Sequence, residues 1–241
     1  MPLLAIVLSA ACTINTGLDP ACPVTAAGIT GTQAALNESS TTRSDAIFAS
    51  LALHGTQQLS FSLPLYEHLH IDGAGDAYGT GDAALGYTLA FDGRKRLTQF
   101  AGLFASFPTG ANTFTAGRTQ LAPEYGASYA LGERISLVAF GSYQFGAGGT
   151  KLPYAPLTQT LTLTPRAIVD LSRRFGLYTA IDAQYGSVTG DERYQTYQAD
   201  AFLGIARAHY NLAFTYRVPI SAFTRENLLF HAFGAQLSWQ R

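Results

Sequence analysis

Arg166, Asp170, Asp182, Asp200 and Arg217 each fall in a run where every second residue is apolar and those between are small, polar or charged. Nearer the N-terminus the same holds for Asp82 and Glu124. Charges of both signs on the polar side of amphipathic segments can set a transverse field and narrow an aperture if those segments enclose a space, and so tune which solutes pass. They can equally pair into a salt-bridge network that closes the space, because charges removed from bulk water are ordinarily paired. The residues alone leave both readings open. Gln184 and Gln198 share this polar side, as do Thr158, Thr160, Thr162 and Thr164. The threonines offer hydroxyls to water or to one another, although strand propensity alone also explains them.

Other residues offer less. His68, His70, Asp72 and Asp76 gather ligand types within a Gly-rich stretch, but spacings of i and i+2 in a loop define no metal geometry, and no metal is expected. His231 sits on the apolar side of the last segment, where a lipid-acting hydrolase could use it beside a serine. Ser238 is seven residues on, hence on the opposite face of a strand. There is no Gly-rich phosphate loop and no nucleophile elbow, so neither a cofactor nor an enzymatic activity is expected.

What must position the charges is a set of strands. In Gly79–Gly110, Ala83, Leu85, Tyr87, Leu89 and Phe91 share one face, and Asp82, Ala84, Gly86, Thr88 and Ala90 share the other. Asp92-Gly93 then suits a tight hairpin, because both positions tolerate φ > 0. The second face is too small and polar to fill a soluble sandwich, whereas an apolar outside around a polar inside fits a membrane barrel. Gln57–Tyr66 repeats the pattern with Leu59, Phe61, Leu63 and Leu65 outward, and Ile135, Leu137, Ala139, Tyr143 and Phe145 repeat it again.

Counting Thr25–Leu36 as the first and weakest, the chain offers twelve strands. Their connectors alternate between short turns and long loops. The long loops are placed at Asn37–Asp45, Glu67–Gly81, Thr109–Thr119, Ala147–Leu157, Ser187–Thr196 and Pro219–Asn227. The expectation is an all-β fold: a transmembrane antiparallel up-and-down barrel with short periplasmic turns, long extracellular loops and both termini in the periplasm. Tyr66, Phe91, Tyr143, Phe145, Tyr185, Tyr216 and Trp239 fall near strand ends, where interfacial girdles lie.

Composition agrees. Charged residues make up 13% of the 241, about half the usual share for soluble domains. A net charge of −1 with scattered cations argues against nucleic acid as a partner. Residues 1–11 resemble the apolar core and small-residue end of a secretory signal without a basic leader, residues 12–24 form a lead-in, and residues 25–241 form the single barrel domain. Cys12 and Cys22 could form a disulfide, which export permits, or Cys12 could accept a lipid after Ser9-Ala10-Ala11.

The segments SLPLY, GTGDAALGY, FPTG and LAPEYGASYALGERISLVAFGSYQFG, within Gln57–Gly146, resemble the outer-membrane β-barrel family labelled putative MetA-pathway of phenol degradation. Gly81-Asp82 and Phe107-Pro108-Thr109-Gly110 are the most specific of these motifs. The resemblance implies an outer-membrane barrel of a Gram-negative-type cell that passes small, aromatic or apolar molecules, with outer-membrane lipid as its surroundings and no catalytic residues to carry over. A closed structural barrel and a lipid-acting enzyme are the alternatives. Oligomeric state is left open, and the chain ends Trp239-Gln240-Arg241 where common outer-membrane barrels end on an aromatic residue.

Overall fold

The computed structural model describes residues 18–37, 39–53, 55–91, 96–111, 114–148 and 158–241. Thirteen strands follow one another: β1 (Ala26–Asn37), β2 (Ser40–Leu53), β3 (Gln57–Ile71), β4 (Gly75–Gly79), β5 (Ala83–Phe91), β6 (Leu97–Phe107), β7 (Gln120–Ala130), β8 (Ile135–Gly146), β9 (Thr158–Ser172), β10 (Leu177–Gly190), β11 (Tyr194–Arg207), β12 (Tyr210–Pro219) and β13 (His231–Gln240). Each is antiparallel to its neighbour, and β13 pairs with β1 from Ala26↔Gln240 to Ala35↔His231, closing the sheet on itself. The lower part of β3 pairs with β5 and its upper part with β4, so β4 and β5 together fill one place in a ring of twelve. Closure pairs the wall's backbone groups within the sheet, as a structure surrounded by hydrocarbon requires.

The alternation read from sequence is the alternation of the wall. Leu85, Leu103, Leu137, Leu163, Ile181, Leu203 and Leu237 are exposed on the outside, and Thr88, Phe100, Ser128, Val138, Asp182, Asp200 and Ser238 are buried on the inside. So continuous an apolar surface would drive a soluble protein to aggregate, and lipid is its natural solvent. The chain is an outer-membrane β-barrel, and Thr25–Leu36 is indeed its first strand, displaced by one residue.

Several strands outrun the bilayer, which about 9–11 residues cross. β3 and β9 have 15 residues each, β10 and β11 have 14. Three expected loops are thereby mostly strand: β2 begins at Ser40, β3 and β4 pair through Glu67–Gly79, and β10 and β11 leave only residues 191–193 between them. Beyond the lipid both faces are wet, so the alternation that marks a strand disappears although the backbone ladder continues. Pro219–Asn227 also departs from a plain loop, because Ala222–Asn227 forms the short helix α1, capped by Ser221 Oγ accepting from Thr224 N.

A bulge resets one strand. Asp45 pairs with Tyr66 and Ala46 with Pro64, leaving Leu65 without a partner in the ladder. Pro64 lacks an N–H and is suited to such an irregularity. Below it Ser60, Ser62 and Pro64 face inward, while above it Tyr66, His68 and His70 share the outward face with Asp45, Arg43 and Thr41.

Candidate functional site

Four of the expected lumen charges form a single row across neighbouring strands. Arg166 on β9 is the cross-strand partner of Asp182 on β10, Asp182 that of Asp200 on β11, and Asp200 that of Arg217 on β12. Arg166 Nε and Nη2 donate to Asp182 Oδ2 at 3.0 and 2.6 Å. Arg217 donates to both carboxylate oxygens of Asp200, Nε to Oδ1 at 2.7 Å and Nη2 to Oδ2 at 2.6 Å. The order is plus, minus, minus, plus, and the row is neutral. A fork-to-carboxylate fit of this kind is the strong form of the charged hydrogen bond. Asp182 Oδ1 is buried without a hydrogen-bond partner among the described residues. Above the row, Gln198 Nε2 donates to Gln184 Oε1 at 2.5 Å and Gln184 Nε2 to Asp200 Oδ2 at 3.3 Å, extending a polar stripe.

Arg166 is also the hinge between the polar row and an apolar layer. Its guanidinium lies 5.6 Å from the Phe140 ring centroid and 5.3 Å from that of Phe202. Phe100, Val138, Ile168, Ala180 and Ala21 make one buried cluster, with Leu18, Phe140 and Phe202 packed against it. These side chains come from β6, β8, β9, β10 and β11 and meet inside the barrel, towards the short-turn end. Buried Tyr178 lies across Gly204 and donates to Asn211 Oδ1 at 2.9 Å. A Cβ at 204 would collide with the Tyr178 ring, so the glycine makes room for it.

The lead-in belongs to this layer. Residues 18–25 lie in the barrel rather than hanging from it: Asp19, Ala21, Cys22 and Val24 are all buried. Arg166 Nη1 donates to Leu18 O at 2.5 Å, and Ser128 Oγ on β7 donates to Asp19 Oδ2 at 2.6 Å. Val24 N donates to Gln58 Oε1 on β3, and Ser50 Oγ on β2 donates to Val24 O, at 2.9 and 2.7 Å. Four strands therefore hold one segment. Sequence reasoning missed Asp19 because an irregular lead-in has no period to read, and the inward phenylalanines because the period gives a side chain's direction and not what it meets inside the barrel. The lead-in's one visible signal was the Asp19-Pro20 turn beside Cys22.

The remaining expected residues have separate places. Glu124 faces the lumen from β7 and makes no ion pair among the described residues. Asp170 lies at the short-turn rim, where Arg173 Nε donates to it at 3.2 Å. Asp82 is no part of the row: it accepts from Gly110 N at 3.0 Å and Ala116 N at 2.9 Å and so holds the loop between β6 and β7. That explains Gly81-Asp82 and Phe107–Gly110 as one motif, since Gly110 comes too close to Thr80 O for a side chain. Cys12 lies outside the described residues, as do residues 1–11, so the Cys12–Cys22 disulfide and lipidation of Cys12 stand as proposals.

His68, His70, Asp72 and Asp76 are held together by the β3–β4 ladder, not spread along a loop. Asp76 Oδ1 accepts from His68 Nε2 at 2.9 Å and His70 Nδ1 at 2.8 Å, while His70 Nε2 bonds Asp72 at 2.9 Å. No three His, Cys, Asp or Glu residues among those described are arranged to hold a metal. His231 pairs with Ala35 and Ser238 with Gly28, so they take opposite faces and form no catalytic pair. A recess of ≈ 710 Å³ lies against β1, β12 and β13, and its lining includes inward Thr32, Thr215 and Gly234 and outward Gly31, Phe233 and Ala235.

A sequence profile of the family described as Putative MetA-pathway of phenol degradation matches residues 32–227. The chain belongs to that family. An outer membrane channel from Pseudomonas putida F1 has the same fold, with a TM-score of 0.69, 15% identity, and coverage of 91% of this chain and 95% of that one. The NanC porin follows at TM-score 0.66 and 10% identity, covering 90% and 100%. The KdgM porin in complex with disordered oligogalacturonate gives 0.56 and 7%, covering 89% and 97%. No curated protein is significantly similar to the sequence.

Proposed function

We propose that this family member is a passive outer-membrane channel for small apolar or aromatic molecules. The observation that carries it is the layer of Phe100, Phe140, Phe202, Val138 and Ile168 inside the barrel, beneath a charge row already neutralised by its own pairs. A hydrated ion crossing that layer would give up water against apolar side chains, and the charge row above it is already satisfied by its own pairs. An apolar solute loses nothing there and meets ring faces with which it can stack. The recess against β1, β12 and β13 offers such a solute a second apolar surface, and the description of the family, phenol degradation, names chemistry of the same type. The structural neighbours, described as a channel and porins, agree with passage as the role.

A closed structural barrel is the second reading, favoured by the four-strand grip on residues 18–25. The two separate in one experiment. Intact Gram-negative cells expressing the barrel would be compared with empty cells for entry of the apolar aromatic dye N-phenylnaphthylamine and of a charged solute of similar size. Faster dye entry without faster entry of the charged solute supports the apolar channel. Unchanged entry of both would establish the closed barrel, and faster entry of the charged solute alone would refute the apolar assignment.

A further inference from the structure

The outer rim at the short-turn end carries an unbalanced positive charge. Arg96, Arg134, Arg174 and Arg207 stand at four different turns of the ring, and none makes an ion pair among the described residues. The side-chain carboxylates described on this rim, Glu133 and Asp170, are both taken by Arg173, at 3.3 and 3.2 Å. The sequence adds Asp92, Arg94 and Lys95 between β5 and β6, outside the described residues, for one further net positive charge. At the opposite end Asp45, Glu67, Asp72, Asp76, Asp82, Asp191, Glu192 and Glu226 outnumber Arg43, Arg118, Arg193 and Arg225, so the described residues there are net acidic.

Two of these arginines converge on one apolar side chain. Phe175, in the turn between β9 and β10, is exposed. Arg174 Cζ lies 5.5 Å and Arg207 Cζ 5.9 Å from its ring centroid, and Arg207 Nε donates to Phe175 O at 3.1 Å. Beside them Tyr210 and Trp239 are cross-strand partners, both exposed on the lipid side, and His209 stacks on Trp239. An aromatic ring at the acyl boundary with two guanidiniums against it matches a phospholipid: the ring meets the chains and the forks meet the phosphate. Short turns face the periplasm in barrels of this kind, so the lipids within reach belong to the periplasmic leaflet.

We propose that this rim binds anionic phospholipid headgroups of the periplasmic leaflet, with Arg174, Phe175 and Arg207 as the clamp. An acidic periplasmic protein is the competing partner. The lipid is favoured because Phe175, Tyr210 and Trp239 continue the lipid-facing wall without a break, a surface that a soluble partner leaves uncovered.

Trp239 is the chain's single tryptophan, which makes the test direct. The protein is reconstituted into vesicles of phosphatidylcholine and phosphatidylglycerol in which one lipid or the other carries brominated chains, and quenching of Trp239 reports which lipid stands beside it. At low salt the brominated phosphatidylglycerol should compete roughly threefold or more better than its share of the bilayer. That preference should vanish near 1 M salt, where screening leaves a reach of about 3 Å. Arg174→Gln with Arg207→Gln should abolish it in a barrel that still shifts on heating, while Arg43→Gln at the far end should leave it intact. Equal quenching by the two lipids would overturn the proposal in favour of a protein partner. So would a preference indifferent to salt, or one lost equally in Arg43→Gln. The salt series on the wild type decides the matter even if the double variant does not insert.

Discussion

Asp182 and Asp200 are equally buried carboxylates, with 0% and 1% of their side chains exposed, yet they should differ sharply when each is changed to asparagine. The difference lies in the partner left behind. Arg166 is 12% exposed and wedged between Phe140 and Phe202, so it cannot recover water when Asp182 loses its charge. Orphaning a buried charge costs about 3–5 kcal/mol. Arg166 keeps its bond to Leu18 O, which puts the expected loss for Asp182→Asn near the lower end, about 3 kcal/mol. Arg217 is 39% exposed towards the lumen and can rehydrate, so Asp200→Asn should cost only about 1–2 kcal/mol. The assay is urea unfolding of the barrel in lipid vesicles, read as loss of the heat-modifiable band. A loss for Asp200→Asn equal to or larger than that for Asp182→Asn would refute the argument. Replacing the whole pair, Arg166→Met with Asp182→Leu, should cost less than Asp182→Asn alone, since no charge is then stranded.

Leu85→Arg, on the exposed outer face, should weaken the barrel by about 2–4 kcal/mol if it lies near the bilayer midplane, whereas Thr32→Arg, exposed on the inner face, should be tolerated; equal loss of folded barrel would mean the faces are misassigned. Asp182→Asn with Asp200→Asn leaves two unopposed arginines in the row, so any residual current should turn towards anions, and an unchanged reversal potential across a salt gradient would remove the row from the pathway. The hydrogen bond to Asp76, then that to Asp72, raises the pKa of exposed His70 above 6.5, and the bond to His68, then that to His70, lowers that of Asp76 below 3.8. The His70 contribution is complete below 6.5 and lost as pH rises through its raised value, and that of Asp76 is present above 3.8 and lost as pH falls through its lowered value. The β3–β4 tip should therefore be tightest between those pH values, and a His70 proton-NMR titration midpoint at or below 6.5 would refute this.

Much of the wall was legible before any coordinates. A period of two repeated over twelve segments, with apolar residues on one side and glycine, serine, threonine and scattered charges on the other, has few solutions besides a closed barrel in lipid. Leu85 and Thr88 were placed on opposite faces by that period alone, and so were Arg166, Asp182, Asp200 and Arg217 on the inner one. Inward, however, did not mean wet. Thr88 is buried, and Arg166 is held by Asp182, Leu18 and two rings, because what fills a lumen comes from strands far apart in sequence and from a segment with no period. Periodicity reports the direction of a side chain and nothing of what it meets. The row of four charges needed register, which Leu65 shows a single unpaired residue can reset. The strands beyond the bilayer needed their partners too, since between two aqueous faces a ladder such as β3–β4 has no apolar stripe to betray it, and only the paired backbone brings His68, His70 and Asp76 together.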